Sequence, residues 1–170
     1  MKILTVFFTI CSLVLNACAS TEKAIGPSGS LSNTASSQAK AADKPIDIVV
    51  YRSPTCGCCK KWMAHLEDNH FNVTEMRTGD MQAIKDQYGV PKALASCHTA
   101  LIEGYVVEGH VPVHDIQQLL KTRPKVLGIA VPAMPIGTPG MEMGDEQDTY
   151  DVISFDREKH EQIVNRYKGN

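Results

Sequence analysis

Three observations predict the fold class. Residues 46–51 (IDIVVY) form a β-rich apolar run just ahead of a cluster of cysteines. Cys56 and Cys59 make a CxxC pair at the junction where that run gives way to a helical pattern, the setting of a thioredoxin-like site. The chain beyond carries strand and helix signals in the order β-α-β-α-β-β-α. Together they predict an α/β domain of thioredoxin-like type with a Pro/Gly/Met-rich C-terminal extension.

Residues 46–51 are mostly apolar, as in a strand covered on both faces. Residues 52–55 read as a loop. Cys59, Trp62, Met63, Leu66 and His70 recur at i, i+3, i+4, i+7 and i+11, the buried stripe of a helix reaching His70. Residues 71–76 (FNVTEM) alternate apolar and polar and predict a second strand. Asp80 is placed to cap a short helix with Met81, Ile84 and Tyr88 on one face, stopped by Gly89 and Val90-Pro91. Residues 97–103, Gly104 and residues 105–108 read as a β-hairpin. Pro112 suits the first position of a third helix running through Ile116, Leu119 and Leu120. Three prolines, four glycines and three methionines crowd residues 128–144 and predict an irregular loop. Residues 150–155 read as a last strand. Asp156 then caps a closing helix with Ile163, Val164 and Tyr167 inward.

Not all of the 170 residues are expected to fold. Residues 1–17 read as an export signal. Lys2 supplies the positive start, and residues 3–15 an apolar run short of the ~20 residues that span a bilayer. Leu15-Asn16-Ala17-Cys18 resembles a lipoprotein processing site, with Cys18 the lipid-modified residue. Cleavage after Ala17-Cys18-Ala19 is the rival reading. Ala19 after the cysteine leans towards an outer-membrane anchor, so the expected location is the periplasm. Residues 18–44 are rich in Ser, Ala, Thr and Gly. They bury too little surface to offset their ordering entropy and read as a disordered tether. Residues 45–170 remain for the folded domain. The formal charge is −2, with no basic stripe. Nucleic-acid binding therefore has no electrostatic footprint, and membrane contact is expected through the lipid alone.

Four thiols, Cys56, Cys58, Cys59 and Cys97, carry the strongest chemical signal. Disulfide exchange needs two thiols, and a third can form the wrong bridge. A helix N-terminus favours the thiolate, and thiolates select Cu(I), Zn or Fe–S. Vicinal Cys58-Cys59 suits several bridged soft ions better than one tetrahedral ion. Two alternatives stand beside this reading. One is thiol-disulfide exchange at Cys56 and Cys59, which export would favour. The other is a zinc module held by four cysteines, or by three cysteines and one histidine. Cys97-His98 occupies the place where a thioredoxin-like fold usually sets a cis-proline opposite the CxxC. His98 is therefore a candidate ligand or the support of one. Met134, Met141 and Met143 lie in a loop where packing does not require methionine, and are candidate soft donors. Met63 reads as core. His110 reads as a hydrogen-bonded structural residue able to orient a ligand or the hairpin. His65, His70, His114 and His160 read as surface or cap residues.

The runs CGCCKKW, SCHTA, GYVVEGHVP and AVPAMPIGTPGMEM occur in that order. Over residues 46 to about 155 the chain thereby resembles the CopG-like family of exported bacterial copper-binding proteins. The resemblance implies a thioredoxin-like domain whose CxCC and distal cysteine hold a multi-copper Cu(I) thiolate cluster, here at Cys56, Cys58, Cys59 and Cys97. It implies a role in copper homeostasis or resistance, with Cu(I)/Cu(II) redox activity as the enzymatic option beyond binding. Copper as Cu(I) is the expected cofactor, ahead of zinc. Periplasmic copper carriers or efflux components are the expected partners.

Overall fold

A computed structural model describes residues 44–170. The export signal, Cys18 and nearly all of the tether lie outside the described residues. The elements are β1 (Ile46–Arg52), α1 (Gly57–Glu67), β2 (Phe71–Arg77), α2 (Met81–Gln87), a 3-10 turn (Lys92–Leu94), β3 (His98–Ile102), β4 (Tyr105–Glu108), α3 (Val113–Thr122), β5 (Gly128–Ala130), β6 (Tyr150–Phe155) and β7 (Glu161–Tyr167).

Among the described residues, all seven strands join one sheet in the order β2-β1-β3-β4-β5-β6-β7. Crossover through α1 makes β2 parallel to β1, as a strand-helix-strand unit requires. β3 runs antiparallel to β1 and forms a hairpin with β4. The order β-α-β-α-β-β-α expected from the periodicities is therefore present. α3 carries the chain across to β5, parallel to β4. β5, β6 and β7 then continue the same sheet as antiparallel neighbours.

The α1 stripe forms the larger core. Trp62, Met63 and Leu66 pack with Ile48, Val50, Ala100, Val107 and Ile116. Leu66 is fully buried, which contributes about 1.5–3 kcal/mol relative to exposure. A smaller cluster joins Val90, Leu94, Val106, Ala130 and Phe155. Asp80 caps α2 as expected, its Oδ1 accepting the Ala83 N–H at 2.9 Å.

Four expectations need correction. α1 stops at Glu67, capped through the Asp68 N–H to the Ala64 carbonyl. His70 lies outside the helix with φ 66°. Its carbonyl instead accepts the Ile46 N–H at 3.0 Å and starts the β1–β2 pairing. α3 starts one residue later than expected, with Pro112 outside it as the cap residue. The stretch expected to be irregular from Gly128 onward opens with β5. The closing helix is a strand: β-branched Ile163 and Val164 favour extended backbone, and both are about half exposed. Asp156 does accept an N–H, but it is that of His160 at 2.9 Å, which closes the β6–β7 turn. Tyr167 stacks on Tyr150 at 4.8 Å, and its hydroxyl donates to Asp115 Oδ2 at 2.6 Å.

Candidate metal centre

The centre begins where β1 ends. Arg52 is fully buried. Its Nη1 donates to the carbonyls of Ser53 at 2.7 Å and Pro54 at 3.2 Å, and its Nη2 pairs with Glu75. A buried guanidinium thus shapes the loop that leads into the cysteines. Cys56 then caps α1, its Sγ accepting the Cys59 N–H at 3.3 Å. Cys58 and Cys59 follow in the first turn, at the positive end of the helix dipole.

The fourth sulfur arrives from the loop entering β3. Cys97 Sγ lies 3.5 Å from Cys59 Sγ, and Cys58 Sγ 3.5 Å from Cys56 Sγ. Cys56 and Cys59 are joined as a disulfide with Cα atoms 5.5 Å apart, while Cys58 and Cys97 are free, half-buried thiols. All four sulfurs lie within 4.8 Å of one another.

Two histidines extend the donor set. Cys97 Sγ lies 3.2 Å from His98 Nδ1 and 3.1 Å from His110 Nε2. His110 Nδ1 is 2.7 Å from the Pro139 carbonyl, which can only accept. The ring proton therefore sits on Nδ1, and the Nε2 lone pair faces the thiol. His98 is sealed between the Trp62 ring at 4.3 Å and the His110 ring at 4.9 Å. Its Nε2 is buried with no hydrogen-bond partner among the described residues.

Burial sets the protonation states. It drives His98 well below its ordinary value of 6.5, helped by repulsion from His110 whenever that ring is protonated and from Lys85. Burial likewise lowers His110, against the opposing pull of the Pro139 carbonyl and Glu142. Both rings are thus neutral near pH 7, which is the ligand form. Cys97 is pushed up to about 12, by burial first and then by the charge of Cys58. A soft metal at this thiol must displace its proton.

A strap from the C-terminal extension lies over the first turn of α1. Gly140, with φ 87°, sits so close that a Cβ would lie 2.8 Å from the Trp62 nitrogen and 2.9 Å from the Cys58 carbonyl oxygen. The neighbouring Pro139 carbonyl is the one that holds His110.

The structure therefore brings together Cys56, Cys58, Cys59, Cys97 and His98. Met141 is half-buried beside Gly140. Met134 is 49% exposed and Met143 60% exposed, both turned largely to solvent. His110 belongs at the centre of the donor set rather than at its margin. The signal for it is the preceding Gly109, which has φ 74° and donates its N–H to the His98 carbonyl at 3.0 Å. A Cβ at Gly109 would strike the Val131 carbonyl oxygen at 2.5 Å and the Ser96 Cβ at 2.6 Å.

Residues 94–141 match a family model described as "Protein of unknown function, DUF411". No curated protein matches. Two solved structures of a copper resistance protein, CopG, are each similar to the chain at 48% sequence identity. Form 2 aligns with 73% of this chain and 99% of that one at a TM-score of 0.70. Form 1 aligns with 74% and 100% at 0.71.

Proposed function

This chain belongs to the family of the copper resistance protein CopG, and we propose that it binds copper as Cu(I) through the thiolates of Cys56, Cys58, Cys59 and Cys97. The observation that carries the proposal is the convergence of four sulfurs within 4.8 Å at a helix N-terminus. Sulfur and neutral imidazole are donors that suit Cu(I). A vicinal pair reaching two neighbours favours bridged ions over one tetrahedral zinc. His98 and His110 supply nitrogen donors on the Cys97 side. Met141 is the nearest of the strap methionines in sequence to the Gly140 contact.

Two of the sulfurs are tied up in the Cys56–Cys59 disulfide. Binding by all four requires its reduction, two electrons and two protons from a dithiol reductant, followed by loss of thiol protons to copper. The site of action is the periplasm, reached through the export signal at residues 1–17 and held near the outer membrane by lipid on Cys18. Copper carriers or efflux components would receive the ion, and Cu(I)/Cu(II) cycling would be its redox activity. Titrating Cu(I) into reduced protein tests the centre. The Cys58→Ser, Cys97→Ser double variant is expected to lose most of the bound copper, and unchanged stoichiometry would refute the cluster.

One observation favours a second reading, thiol-disulfide exchange. The same disulfide has Cys97 Sγ 3.5 Å from the Cys59 sulfur. That reading expects metal-free insulin reduction that survives Cys58→Ser.

A further inference from the structure

Glu108 ends β4 fully buried, and its carboxylate is not among the copper donors described above. Its Oε1 accepts the Ser96 N–H at 2.6 Å and Lys85 Nζ at 2.6 Å. Its Oε2 accepts the Thr99 hydroxyl at 2.7 Å. Lys85, from α2, also donates to Thr99 Oγ1 at 3.0 Å. Lys85 is 5% exposed and Thr99 fully buried. Thr99 and Glu108 are direct cross-strand partners of β3 and β4.

Ser96 and Thr99 stand on either side of Cys97-His98. A third restraint runs from the Gly109 N–H to the His98 carbonyl at 3.0 Å. The short segment that carries the fourth sulfur is therefore held at both ends by one carboxylate. Stability does not account for that arrangement. Burying each ion costs several kcal/mol, and apolar pairs of similar volume often serve a core equally well or better. An apolar pair has no acceptor for the Ser96 N–H, however, and would let the loop drift.

We propose that Glu108 and Lys85 form a positioning device that fixes Cys97 Sγ opposite Cys59 by clamping the chain on both sides of Cys97. The clamp itself stands on these hydrogen bonds. Its consequence for copper rests on the copper reading above.

Two variants test it in the full chain: Glu108→Gln, and the charge-free pair Lys85→Met with Glu108→Leu. Circular dichroism identifies which of them fold, and the pair decides if Glu108→Gln does not. The reduced, metal-free protein is labelled with iodoacetamide at one pH, and Cys97 is compared with Cys58 by mass spectrometry. Copper affinity is measured by competition with a Cu(I) chelator. The expected result is a raised Cys97-to-Cys58 labelling ratio and a loss of about 10- to 100-fold in copper affinity, the usual effect of removing a group that orients a metal ligand. Wild-type labelling and wild-type affinity in a folded variant would overturn the proposal. Should the wild-type chain take up no copper, the copper reading fails by itself and the labelling ratio still decides the clamp.

Discussion

Replacing Gly140 with alanine should loosen the strap from the metal centre. The residue sits at φ 87°, and a side chain in left-handed backbone costs about 1–2 kcal/mol. The added Cβ would meet two backbone atoms of α1 at 2.8 and 2.9 Å, well inside the ~3.5 Å at which carbon contacts are favourable. Backbone cannot rotate aside as a side-chain tip can, so overpacking adds about 1–3 kcal/mol. The strap can escape by lifting. It then gives up the His110–Pro139 hydrogen bond, worth about 0.5–1.5 kcal/mol. The cheaper route still leaves a net loss of about 2–3 kcal/mol, or about 6–12 °C in Tm for a domain of this size. Thermal unfolding of the reduced, metal-free protein measures the first effect. Cu(I) titration measures the second, since a lifted strap frees the His110 ring and weakens binding. A variant that melts with the wild type and binds copper equally well would refute the claim that close approach at Gly140 holds the strap in place.

Gly57, inside the CxCC run, should behave in the opposite way. Among the described residues, no atom beyond its chain neighbours and the helix's own backbone lies within 4 Å of a Cβ built there, so Gly57→Ala is expected to keep or raise Tm by restricting the unfolded chain, worth about 0.4–1 kcal/mol. A lowered Tm contradicts this. Lost copper at an intact Tm would instead assign that open space to the bound metal. Acid should destabilise the metal-free protein. His98 and His110 are lowered from 6.5 in the folded state, so below that value the unfolded chain binds more protons. Their contribution is complete above about pH 6.5 and is lost as pH falls through the folded values. Tm measured between pH ~7 and ~5 should fall, with a shallower slope in His98→Phe; an unchanged slope would show that His98 does not contribute.

The first half of the domain was legible because its residues obey simple periods. Cys59, Trp62, Met63 and Leu66 are spaced for one helical face, and all four are buried. The hairpin of β3 and β4 announced itself through Gly104, which has φ 88°. β5 was hidden because Gly128 reads as a breaker. In the sheet it is there because the Val106 carbonyl leaves no room for a Cβ. Ile163, Val164 and Tyr167 in β7 also fit helical spacing, and only pairing with β6 chooses between the periods. The four sulfurs followed from their sequence neighbourhoods. The buried Lys85–Glu108 pair did not, since lysine in a short polar helix is ordinarily solvated and only the tertiary fold encloses it.

Trp62 is the chain's only tryptophan. Its ring is fully buried against His98, with the indole N–H donating to the Val111 carbonyl at 2.9 Å. Its backbone nitrogen faces Gly140, and Cys59 lies one turn earlier on the same stripe. The protein thus carries one indole fluorophore, excitable apart from its five tyrosines, in contact with the histidine wall, the strap and the cysteine helix at once. Its emission reports on that junction alone, so events at the thiols have an optical signature that needs no label.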